Sequence, residues 1–161
     1  MTNSTTSFAG RFEDDRNVEW HSVPVDYDLA VEDAVAASGC QPLDPITRKH
    51  LRSKRTGKAD LEITLVRFDD VEVMDSVDVL LALEKKGLRG IDLRELLAFA
   101  EKYRDAEDWG VTVVAMGSVW YGKHRQRHMS ELGHRHGRDL GHFWFDEVKF
   151  EPRCRFAAVR K

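Results

Sequence analysis

The stretch GSVWYGKHRQRHMSELGHRHGRDLGHFWFDEVKFEPRCRFAAVRK, residues 117–161, decides how this chain is read. Apolar and aromatic residues recur at Val119, Trp120, Phe143, Trp144, Phe145, Phe150, Phe156 and Val159, while five of the seven histidines fall between Tyr121 and His142. A rigid frame that displays a polar segment is a common layout for a binding site. Residues 111–116 are apolar and β-branched enough for a buried strand, and Gly117-Ser118 bends the backbone before Val119 and Trp120. Residues 143–145 and 155–159 read as two further strands, and residues 121–142 as a long polar loop that precedes them.

Working outward, two helices precede this frame. Asp75 or Ser76 caps the first, Val77, Leu80, Leu81 and Glu84 lie along one side, and Gly87 supplies a left-handed stop. Asp92 caps the second, with Glu95 in capping-box position and Leu93, Leu96, Leu97 and Ala100 as the buried stripe. Leu61, Ile63 and Leu65 alternate with polar residues, which predicts a strand through Phe68. Pro24 limits residues 23–25 to a short edge strand, and residues 29–37 read as a small helix stopped by Gly39. The expected fold is α+β: two helices packed beside a small, mainly antiparallel sheet, with the long polar loop between late strands. Residues 1–15 read as a flexible arm, 16–60 as an N-terminal extension with a short helix, and 61–161 as the core.

One hundred and sixty-one residues suffice for a single core without disulfides. Cys40 and Cys154 permit one bridge at most and are expected as thiols. No apolar run approaches a membrane span and no secretory leader is visible, so a cytoplasmic location is the default expectation. The net charge of −3 conceals an asymmetry, because residues 121–161 carry ten Lys and Arg against five Asp and Glu. Such a basic face attracts anions.

The segments Gly87-Leu88-Arg89, Asp92-Leu-Arg-Glu-Leu96, Met116-Gly-Ser-Val-Trp120 and Arg155-Phe-Ala-Ala-Val-Arg160 resemble the C-type-lectin-like fold, in its formylglycine-generating-enzyme and diversity-generating-retroelement variable-protein branches. The resemblance covers roughly the last hundred residues. It implies two helices beside an antiparallel sheet, with the long loop and late strands used for ligand or protein binding. In the variable-protein branch it would place a hypermutable ligand face on residues 121–142 and Trp144. The calcium pattern of sugar-binding members is not reproduced, since Trp144-Phe145-Asp146 lacks the amide, and the two cysteines do not match the oxidase pair. The whole chain also resembles small bacterial proteins of unassigned function from candidate phyla, whose ends read like residues 154–161.

The leading expectation is a noncatalytic recognition domain for a protein or a polar, anionic ligand, with Tyr121, His124, Arg125, Arg127, His128, His134, Arg135, His136, Arg138, His142 and Trp144 as contacts. Arginine forks suit carboxylate and phosphate, and imidazoles add positive charge below about pH 6.5. Trp120, Phe143, Phe145 and Phe156 are expected to hold the sheet. One alternative is a zinc-binding module or metal-dependent enzyme using His134, His136, Asp139 and His142, because neutral imidazole is a good zinc ligand. The other is nucleic-acid binding through the acid-free run 45–59, with Arg48, Lys49, Arg52, Lys54, Arg55 and Lys58, together with the C-terminal basic surface, although no aromatic is interleaved in that run for stacking and a solvated connector is its plainer reading. No Gly-x-Ser-x-Gly, His-Glu-x-x-His, Walker or Gly-x-Gly-x-x-Gly motif occurs, so no catalytic residue is assigned. The sequence sets no oligomeric state.

Overall fold

The structure, a computed structural model, describes residues 19–42, 46–68, 74–103, 111–133 and 139–161. Along the chain lie β1 (His21–Asp26), α1 (Val31–Ser38), β2 (Gln41–Pro42), β3 (Lys58–Val66), α2 (Ser76–Lys85), β4 (Leu88–Gly90), α3 (Leu93–Lys102), β5 (Thr112–Tyr121), β6 (Arg127–Leu132), β7 (Asp139–Trp144) and β8 (Cys154–Arg160). The strands form one mixed sheet in the order β1-β3-β8-β5-β6-β7-β2, with β4 paired to β8. Most pairs are antiparallel; β5 with β8 and β2 with β7 are parallel. The class is α+β.

Local chemistry explains the helix ends. Gly39 at φ 70° closes α1 in the left-handed conformation. Asp75 accepts from the Asp78 backbone N–H at 2.9 Å, and Asp92 accepts from that of Glu95 at 2.8 Å, each in a reciprocal capping box. The buried face of α3 carries Leu93, Leu96, Leu97, Phe99 and Ala100, as its spacing predicts. The face expected for α2 is corrected: Ser76, Val79 and Leu83 point inward, whereas Val77, Leu80 and Leu81 are exposed at 53%, 36% and 56%. A polar anchor turns the helix, because Ser76 donates its hydroxyl to the Phe145 carbonyl at 2.7 Å.

The expected loop over 121–142 is also corrected. A turn at 122–126 leads into β6, which pairs with both β5 and β7 from Arg127 to Leu132. His128, Ser130 and Glu131 are buried there, since a strand paired on both sides encloses polar residues as readily as Met129 and Leu132. Side chains alternate across the sheet. On one face Val113, Leu132, Leu140 and Ala157 pack against Ala34, Leu96 and Phe99 of the helices; on the other, Val114, Met129 and Phe156 meet Val79, Leu83 and Phe150. Residues 16–60, read as an extension, supply β1 to the sheet and Val23, Val25, Val31 and Leu51 to the first of these cores.

A bend within β5 positions the candidate site. Its pairing with β6 shifts register between Ala115 and Trp120, where Gly117 donates its backbone N–H to Ile91 O at 2.8 Å. A Cβ at Gly117 would lie 2.6 Å from the Ile91 carbonyl carbon, so only glycine lets β5 cross this closely beside β4. The bend aims Ser118 at α3, whose Leu93 N–H donates to the Ser118 hydroxyl at 2.8 Å.

Candidate functional site: a basic cleft beside an aromatic row

The connector between α1 and β3 is anchored at three points. Leu51 is buried, Ser53 donates to the Asp92 carboxylate at 2.7 Å, and the His50 ring stacks on Trp120 with centroids 4.1 Å apart. Thr47 donates its backbone N–H to His50 Nδ1 at 3.0 Å, which leaves the proton of the neutral ring on Nε2. With its centre fixed, the connector presents Lys49, Arg52, Lys54 and Arg55 along one side of a cleft of about 790 Å³. Arg89, Lys161, Gly90, Gly117 and Ser118 belong to the same lining.

Charge decides what this cleft attracts. Among the described residues, six cationic side chains line it against Glu84 and Asp92. Lys161 pairs with Glu84, and Arg89 with Glu95, but Lys49, Arg52 and Lys54 make no ion pair among the described residues. Solvated cations held in a concave surface focus a positive potential on an incoming anion.

Glu95 sits beneath, with its side chain wholly buried. It accepts from Arg89 Nη1 and Nη2, each at 2.9 Å, from the Tyr27 hydroxyl at 2.5 Å and from the Asp92 backbone at 2.7 Å, with Arg55 Nε 3.8 Å away. Burial by itself raises the carboxyl, but the hydrogen bonds from Arg89, Tyr27 and Asp92 outweigh it and hold Glu95 below the usual range. Burial, followed by the hydrogen bond to Glu95, pushes the Tyr27 phenol up. Burial and then the neighbouring Glu95 charge raise Asp92. Glu95 thus orients Arg89 toward the cleft and ties α3 to the loop after β1.

From His50 an aromatic row continues across β5, β6 and β7. Trp120 stacks on His128 with centroids 4.5 Å apart, and His128 meets the edge of Trp144 at 5.9 Å. His128 Nδ1 lies 3.0 Å from His142 Nδ1, so one ring donates and the other accepts. Burial first, then the proximity of His142 and His50, pushes His128 below the ordinary histidine range. His50 is lowered in the same direction by burial and then by Lys49. Trp144 ends the row at 45% exposed, whereas Trp120 is covered on both ring faces.

The residues expected as contacts are distributed unequally. His128, His142 and Trp144 come together in the row. Tyr121 is 68% exposed at the end of β5, and His124 and Arg125 occupy the turn, with Arg125 at φ 66°. Arg127 is held by Asp146 and lies over the Phe145 ring at 4.3 Å. His134, Arg135, His136 and Arg138 lie outside the described residues. Of the zinc set, His134 and His136 lie outside the described residues, while Asp139 and His142 stand three positions apart on β7, hence on opposite faces. Among the described residues, no three His, Cys, Asp or Glu side chains converge as metal ligands. Lys161, Arg89 and Glu95 were not legible as site residues, but the acid-free run 45–59 was a signal for half of the cleft. Trp120 from β5 stacks on His50 of this run and fixes it in place.

Comparison with family models, curated proteins and solved structures finds no match to this chain.

Proposed function

We propose that this protein is a noncatalytic recognition module for a phosphate-rich polyanion, held along the cleft between the connector and the β4–β5 crossing. The observation carrying this reading is the set of three cations without an ion pair among the described residues, Lys49, Arg52 and Lys54, on a segment fixed in place by Leu51, Ser53 and the His50–Trp120 stack. Arg55 and Arg89 add positive charge from the Glu95 network. The aromatic row extends from the cleft to the exposed edge of Trp144, where a base or other flat group attached to the phosphate chain would make contact. A C-type-lectin-like ancestry belongs to the same proposal, supported by α2 and α3 lying beside a largely antiparallel sheet.

The test is a fluorescence-anisotropy titration of a labelled single-stranded oligonucleotide, with inorganic polyphosphate as competitor. Three unpaired cations at about 0.7 released counterions each give a slope of about −2 in log affinity against log salt. The triple substitution Lys49→Ala, Arg52→Ala, Lys54→Ala should remove most of that slope with the thermal midpoint unchanged. Polyphosphate competing as well as unlabelled oligonucleotide would assign recognition to charge alone; weaker competition would bring in the aromatic row. Equal binding by the triple variant and the wild type would reject the cleft.

A further inference from the structure

A second cleft, of about 590 Å³, opens where β1 and β3 meet α1 and α3. Its size lies within the range of small-molecule sites. Val25, Leu29, Ala34, Leu97 and Ala98 make an apolar wall, and Arg94 is part of the same lining.

Arg94 is unusual for a cation in having only 4% of its surface exposed. Its Nε donates to Leu51 O at 3.4 Å, and its Nη1 donates to Leu29 O at 2.7 Å and Asp26 O at 3.3 Å. All three acceptors are neutral carbonyls, and no carboxylate pairs with Arg94 among the described residues. Nη2 makes no hydrogen bond there, yet it is not among the polar atoms sealed inside the protein. A buried cation without a counter-ion is costly to maintain, whereas an anion reaching its open edge would gain a charge-assisted hydrogen bond at low dielectric. Arg94 also occupies the first turn of α3, whose N-terminal dipole favours negative charge.

The other charged groups lining the cleft refine the ligand. Among the described residues, Asp26, Asp60 and Glu101 outnumber Lys58, so a simple anion is opposed by the acids while a neighbouring ammonium is welcomed. We infer that this cleft binds a small apolar amino acid, its carboxylate on Arg94, its ammonium toward the acidic residues and its side chain against Val25, Leu29 and Leu97. This site is separate from the polyanion cleft, and neither proposal depends on the other.

The probes are L-leucine, 4-methylpentanoate, which lacks the ammonium, and isopentylamine, which lacks the carboxylate, followed by saturation-transfer NMR on the full chain. L-leucine should bind saturably with a Kd on the order of 1 mM or tighter, 4-methylpentanoate more weakly, and isopentylamine not measurably. Arg94→Lys keeps the charge but loses the planar fork, and should weaken L-leucine at least about tenfold. Because Arg94 also ties three carbonyls together, Ala98→Phe provides a second variant that fills the cleft without touching those bonds. It should abolish binding with circular dichroism and thermal midpoint retained. L-leucine and isopentylamine binding alike, 4-methylpentanoate binding more tightly than L-leucine, undiminished binding to Ala98→Phe, or no L-leucine binding at about 10 mM would overturn the inference.

Discussion

Replacing Glu95 by glutamine tests the support beneath the basic cleft. The wild-type carboxylate accepts two hydrogen bonds from Arg89, one from Tyr27 and one from the Asp92 backbone. Glutamine retains a single carbonyl oxygen and turns an NH2 group toward the Arg89 fork, setting donor against donor. Hydrogen bonds to charged groups contribute about 1.5–3 kcal/mol each, but Arg89 has a quarter of its side chain exposed and recovers some hydration, so the expected loss is about 3 kcal/mol rather than the full sum. For a domain of this length that loss corresponds to a fall of roughly 6–12 °C in Tm. Urea denaturation at pH 7 measures it, the midpoint falling with the m-value unchanged.

The sign of the pH dependence follows from the lowered Glu95 carboxyl. Its stabilisation is present above the unfolded-state value, about 4.3, and is lost as pH falls through the lower folded-state value. Glu95→Gln should therefore show a shallower acid limb than the wild type. A loss below about 0.5 kcal/mol at pH 7, or acid limbs of equal slope, would refute the assignment of Glu95 as the anchor of this network.

Gly117→Ala should destabilise the protein by about 3 kcal/mol, because its Cβ meets the Ile91 backbone rather than a movable side-chain end; thermal unfolding checks this. His50 and His128 both resist protonation in the folded state, so stability should decline as pH falls below about 6.5, and His128→Phe should flatten that decline in a series of urea melts. The same lowering means that polyanion affinity rises only below the pH at which free histidine charges, as anisotropy across pH 7 to about 5 would show. Burial pushes the Cys154 thiol up to about 11, so the folded protein should alkylate there far more slowly than the urea-unfolded chain, as mass spectrometry would measure.

Punctuation at helix ends was legible in the sequence because it is local. Asp92 with Glu95, and the positive-φ Gly39 and Gly87, act over a few residues and leave their spacing in the chain. The strand β6 was not legible, since partners on both sides bury His128, Ser130 and Glu131 and erase the polar–apolar contrast by which a half-exposed strand is read. The buried face of α2 departs from its apolar spacing for a related reason, as Ser76 faces inward to reach Phe145 O while Leu81 does not. The basic run before β3 was visible as composition, but its meaning depends on Trp120, Arg89 and Lys161, which arrive from later parts of the fold. Only tertiary contact turns that connector into one wall of a cleft.

The most direct measurement for the central claim is backbone-amide chemical-shift mapping by NMR during titration with inorganic polyphosphate at low salt. Residues 49–55, 88–90, 117–120 and 161 should shift together along one saturation curve that added salt reverses. Shifts absent from these segments, or spread evenly over the exposed lysines and arginines of the whole surface, would contradict the account.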